Sequence, residues 1–142
     1  AVERLYQSLK TEGNKTILPL VNNLADSSPG LGWRGKERVP LPARGRPQLT
    51  PCLALIHHLV LGANIPLAEL IEWLAALGTN LIIEFVDRGD PMVQALLRNK
   101  PDIFTDYQPQ NFQRLLGESF QIERREPCAS GTRTLYYATQ RT

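Results

Sequence analysis

Between Leu53 and Asp90 the chain reads apolar run, amphipathic helix, apolar run, turn, helix cap, and that order restricts the fold more than any other feature. Leu53 to Leu61 is almost wholly apolar apart from His57 and His58, as expected of a central strand covered on both faces, although length alone leaves a helical reading open. Pro66 suits a first helical turn, and Leu67, Leu70, Ile71, Leu74 and Leu77 keep helical spacing as far as Gly78. Leu81 to Val86 is a second apolar run. Asp87-Arg88-Gly89 then turns the chain, and Asp90 caps a helix that starts at Pro91. Two strands separated by a helix of about a dozen residues are joined as parallel neighbours by a right-handed crossover.

The flanking segments extend this pattern. Val2, Leu5 and Leu9 predict an amphipathic helix over 1–12 that stops at Gly13. Thr16 to Leu24, β-branched and apolar, predicts a buried strand that breaks at Asp26-Ser27-Ser28-Pro29-Gly30. Residues 25–50 form a long loop dense in proline and glycine. After Asp106-Tyr107-Gln108-Pro109 a short helix carries Phe112, Leu115 and Leu116, and Phe120 to Arg125 and Thr132 to Thr139 form an antiparallel hairpin around Pro127 to Gly131. The expectation is one α/β domain over 1–142, with mostly parallel strands and an antiparallel C-terminal hairpin.

Composition narrows the classes. Apolar residues make up 42% of the 142 residues and charged ones 21%, ordinary for a globular domain, and no apolar run approaches the ~20 residues of a membrane-spanning helix. A net charge of +2 is far from the basic excess that argues for nucleic acid. Cys52 and Cys128 have neither CxxC spacing nor a third partner, so they read as two unrelated thiols. Ala1 opens onto an amphipathic segment rather than a signal-peptide pattern, which places the expected compartment in the cytoplasm.

A few side chains carry possible chemistry. His57 and His58 stand at the predicted C-terminal end of a strand, where ligands bind in open α/β sheets, and a neutral imidazole there can orient or deprotonate an acceptor; packing under the loop is the equal alternative. Glu84 lies within an apolar strand, so its carboxylate must be paired or reach a cleft. These three are the candidate catalytic residues. Together with Asp87 and Asp90 they offer a less favoured reading as a metal-dependent hydrolase. Trp33 and Tyr107 are candidate substrate-binding aromatics, with ordinary packing as the commoner role for either. Arg34, Lys36, Arg38, Arg44 and Arg46, offset by Glu37 alone, suit either phosphate contacts or a solvated loop.

The strings Leu53-Ala54-Leu55-Ile56-His57-His58-Leu59, Leu81-Ile82-Ile83-Glu84-Phe85-Val86 and Arg133-Thr134-Leu135-Tyr136 resemble a bacterial group of class I SAM-dependent methyltransferases. Asn64, Pro66, Leu67, Glu84, Phe85, Asp106 and Tyr107 match its pattern residue for residue. Upstream, Leu18-Pro19-Leu20-Val21, Pro29, Gly32-Trp33 and Glu37-Arg38 look like its third strand and the following loop.

The resemblance implies a partial Rossmann-like methyltransferase sheet with S-adenosyl-L-methionine as cofactor. It aligns Ala1-Val2-Glu3-Arg4 with the helix after the family's second strand, so the first two strands and the glycine-rich turn that holds the donor are expected to be absent. Gln48 stands where relatives usually carry an Asp, and Pro51 where a central strand would use its amide. The chain alone is then expected to be inactive and, with bare strand edges, to form a homodimer or larger assembly. The alternatives are a non-catalytic interaction module or one part of a split methyltransferase.

Overall fold

β2 (Asn80–Val86) is the centre of the fold, and it is buried along nearly its whole length. Its side chains alternate, so Leu81, Ile83 and Phe85 share one face and Ile82, Glu84 and Val86 the other. The computed structural model describes residues 1–101 and 103–141. Four strands form one sheet in the order β1-β2-β4-β3, with β1 (Leu49–Cys52), β3 (Phe120–Pro127) and β4 (Arg133–Gln140) around β2. β1 and β2 are parallel, joined through α2 (Leu67–Ala76). β4 lies antiparallel between β2 and β3. The sheet is therefore mixed, with one parallel and two antiparallel pairings, rather than mostly parallel.

The helices follow from local signals. α2 buries Leu67, Leu70, Ile71 and Leu74, the stripe that spacing predicts. α3 (Pro91–Leu97) begins with Asp90 accepting the Met92 N–H. α4 (Pro109–Ser119) buries Phe112 and Leu116, and α1 (Val2–Thr11) ends before Gly13 at φ 68°. An aromatic stack ties α4 to the sheet: Phe85 lies 4.9 Å from both Tyr107 and Phe112, and Phe112 meets Tyr136 edge-on at 5.2 Å.

Two expected strands are absent. Residues 17–21 belong to no strand, and Ile17, Leu18, Leu20 and Val21 are exposed, Val21 by 86%. Among the described residues no strand offers that segment a ladder, and β-branched composition alone does not make one. The 53–61 run is not a strand either. The strand ends at Cys52, and Ala54 turns the chain with φ 50°. Leu55 O then accepts from His58 N and Leu59 N, and Ala63 N donates to His58 O at 3.0 Å, closing a wide helical turn over His58–Gly62. A buried helical turn needs apolar residues on most sides, as a central strand does, which is why the run misleads. The loop region holds three short 3₁₀ turns, Leu24–Asp26, Trp33–Gly35 and Leu41–Ala43, and β1 takes its last two residues.

β1 has no strand on its outer side among the described residues. Asn80 N donates to Gln48 O, so the backbone groups of 48, 50 and 52 face β2 and those of 49 and 51 face outward. Pro51 thus sits where its missing N–H removes no bond from the β1-β2 ladder.

Candidate functional site

The C-terminal ends of β1 and β2 converge on a group of buried polar side chains. Glu84 Oε2 accepts the backbone N–H of Ala54 at 2.6 Å, which fixes the turn that follows β1. Its other oxygen lies 3.5 Å from Arg133 Nη1. Arg133 donates from Nε to Asp90 Oδ2 at 2.9 Å and from Nη2 to Asp90 Oδ1 at 3.4 Å. The Thr132 hydroxyl also donates to Asp90 Oδ2, at 2.9 Å. Asp90, 3% exposed, thus serves at once as helix cap and as the anchor of Arg133. The Arg133 hydrogen bond is the main reason its carboxyl is held down at about 2, against the opposing effect of burial.

This network engages both oxygens of Glu84, and a carboxylate held by a backbone amide and a guanidinium serves as a brace. Its charge is compensated, and its geometry positions Ala54, whose φ of 50° is costly for a residue with a side chain. Three residues on stands His57.

His57 is 1% exposed and its Nδ1 has no hydrogen-bond partner. Buried polar atoms are nearly always paired, which sets this imidazole nitrogen apart among the described residues. Burial lowers its pKa first, and His58 and Arg133 lower it further, against the opposing pull of Asp90 and Glu84. Near neutral pH the ring is uncharged and can accept a proton. His58 lies beside it, ring centroids 4.2 Å apart, and is exposed. The wide turn carrying both is held at its far end by Lys100, whose Nζ donates to Leu61 O and Gly62 O at 2.7 Å each and to Asn64 Oδ1 at 3.3 Å. Both histidines therefore leave from a helical turn beyond β1 rather than from a strand end. An open cleft lined by Asp90, Met92, Cys128, Ser130, Thr132 and Arg133 lies against the other side of the network.

The two aromatic candidates are not brought to this group. Tyr107 is fully buried, and its hydroxyl donates to Val86 O at 2.7 Å, so it is a core residue that ties the chain before α4 to the end of β2. Trp33 is 79% exposed on a turn closed by the Leu31–Arg38 bridge. Among the described residues no group of three or more His, Cys, Asp or Glu side chains stands ready for a metal, and Glu84 and Asp90 are already engaged by Arg133. Cys52 is buried, which pushes its thiol up to about 11 and keeps it protonated.

One letter pattern needs its context. Gly30-Leu31-Gly32-Trp33-Arg34-Gly35 has the spacing G-x-G-x-x-G, contrary to the expectation that the chain lacks glycine-rich motifs of this kind. It folds as a tight closed turn, with Leu31 and Arg38 exchanging backbone hydrogen bonds, and it neither follows a strand nor opens a helix of useful length. A Cβ on Gly30 would stand 2.6 Å from Gly35 O, so close backbone approach explains that glycine without a cofactor. Sequence reasoning gave Arg133 and Lys100 no place in a site, because their partners lie 36 to 49 residues away along the chain.

No family model matches the chain, and no solved structure matches it. Over 123 residues, 87% of its length, it is 33% identical to the nodulation protein NoeA of Rhizobium meliloti (strain 1021). The chain spans about a quarter, 26%, of that protein's length.

Proposed function

We propose that this chain is the C-terminal portion of a Rossmann-like, SAM-dependent methyltransferase fold, with His57 as its acceptor-side base, and that it does not bind the methyl donor unaided. The strand order carries this reading. A parallel pair followed by an antiparallel C-terminal hairpin is what the resemblance in the Leu53, Leu81 and Arg133 strings implies for that half of the sheet. The orphan His57 Nδ1 at the C-terminal end of the parallel pair supports a site there. The closed form of the Gly30–Gly35 turn agrees with a donor site built from strands beyond the four described.

Calorimetric titration with S-adenosylmethionine tests it. The 142-residue chain is expected to show no micromolar binding, and a longer chain that adds strands at the outer edge of β1 is expected to bind. Micromolar binding by the monomer overturns the dependence on further strands. No binding by the longer chain overturns the methyltransferase reading itself.

A second reading rests on the same open edge. Leu49 within β1 and Leu53 just past its end are exposed, as are Ile17, Leu18, Leu20 and Val21, so apolar side chains accompany an unpaired strand edge among the described residues. Such a surface serves an interaction module or self-association, and a homodimer or larger assembly is proposed for the chain in solution. Light scattering that returns a clean 15.9 kDa monomer at high concentration counts against it.

A further inference from the structure

Two of the five loop cations separate from the rest in the folded chain. Arg38 and Arg44 both line a cavity of about 300 Å³ whose other walls come from Leu20, Val21, Asn22, Ser28, Leu31 and neighbouring apolar residues. No carboxylate lines it, and neither guanidinium is ion-paired among the described residues. Glu37, the one acid of the stretch, lies back against Gly32 instead. The backbone around both arginines is fixed: Leu31 N donates to Arg38 O, Arg38 N to Leu31 O and Arg44 N to Leu41 O. Arg44 also donates from Nε to Val39 O at 3.2 Å, which holds the side chain and leaves its two terminal nitrogens to reach elsewhere.

From this arrangement we propose that Arg38 and Arg44 form a binding site for a small oxyanion, a carboxylate or a phosphate monoester. Two guanidinium groups lining one concavity, that of Arg44 held through its Nε, supply several donors in planar forks, the geometry that oxyanions accept bidentately. Asn22 and Ser28 add neutral polar groups, and the leucine and valine walls take an apolar body of modest size. His57 does not line this cavity, and the site stands whether or not the methyltransferase reading does. Lys36, in the same loop, does not line the cavity.

Titration calorimetry in chloride buffer with inorganic phosphate and, separately, butyrate tests the site and distinguishes its two sources. Saturable one-to-one binding of either anion is expected, weakened at least about tenfold in the Arg38→Gln, Arg44→Gln double variant, since both sets of charge-assisted donors are lost. Lys36→Gln is expected to bind as the unmodified chain does. In the unmodified chain, anion-induced NMR shifts should centre on the Arg38 and Arg44 Nε–H groups, a readout that needs no variant to fold. The proposal is overturned by absence of saturable binding, by unchanged affinity in the double variant, by an equal loss in Lys36→Gln, or by shifts centred elsewhere.

Discussion

Glu84 Oε2 accepts the N–H of Ala54 at 2.6 Å, joining the middle of β2 to the turn that leaves β1. The bond gives the carboxylate a bracing role. Glu84→Ala leaves that amide unpaired and removes one partner of Arg133, a loss of about 1–3 kcal/mol. Glu84→Gln keeps an acceptor for Ala54 and is expected to recover more than half of it. Urea denaturation of the two variants measures the difference, and equal midpoints would show that the bond is not what matters.

Asp90 makes stability depend on pH in the acid range. Its carboxyl is held at about 2 by Arg133, below the ordinary value of 3.8, so the folded state binds fewer protons than the unfolded one between these values. Its contribution is present above about pH 4 and is lost as pH falls towards 2. Unfolding measured from pH 5 to 2 should show a steeper decline in the unmodified chain than in Asp90→Asn, which cannot titrate. Parallel curves would contradict this assignment.

His57 titrates in the opposite structural setting but with the same sign. Burial depresses its pKa below 6.5, so the unfolded chain takes up the proton first. Stability is full above about pH 6.5 and declines as pH falls through the folded-state value. NMR titration should place the His57 ring proton shift below the usual histidine range. Arg133→Met removes a neighbouring positive charge and should move that titration upward, whereas no movement would place Arg133 outside its field.

Much of this arrangement is legible locally and little of it at long range. Asp90 followed by Pro91 is a helix start that depends on three adjacent residues, and Leu81 to Val86 is a strand by composition and length alone. The Leu53 to Leu61 run is ambiguous, because burial on all sides removes the periodicity that separates strand from helix. Thr16 to Leu24 has strand composition, yet a strand exists only where a neighbour accepts its hydrogen bonds. Among the site residues, Glu84 was visible as a charge that had to be paired. Its partners were not, since Arg133 meets it only after β4 has folded back between β2 and β3.

Tyr107 separates core from site. Its hydroxyl bonds Val86 O in a fully buried position, so Tyr107→Phe should cost about 0.5–1.5 kcal/mol in stability. The same substitution should leave the His57 titration unchanged, because the ring remains in the Phe85 and Phe112 stack. A shifted His57 titration with intact stability would instead return Tyr107 to the site.

Pro51 controls what the open edge can do. Its nitrogen faces away from β2 and carries no proton, so a strand added there would find one acceptor without its donor. The four-residue length of β1 limits such a ladder further. Self-association of the chain should then rest on exposed apolar side chains more than on continuous strand pairing. Pro51→Thr restores the outward N–H and a β-branched residue, and is expected to tighten association several-fold by sedimentation equilibrium. Unchanged association would place the contact surface away from β1, on the exposed segment from Ile17 to Val21.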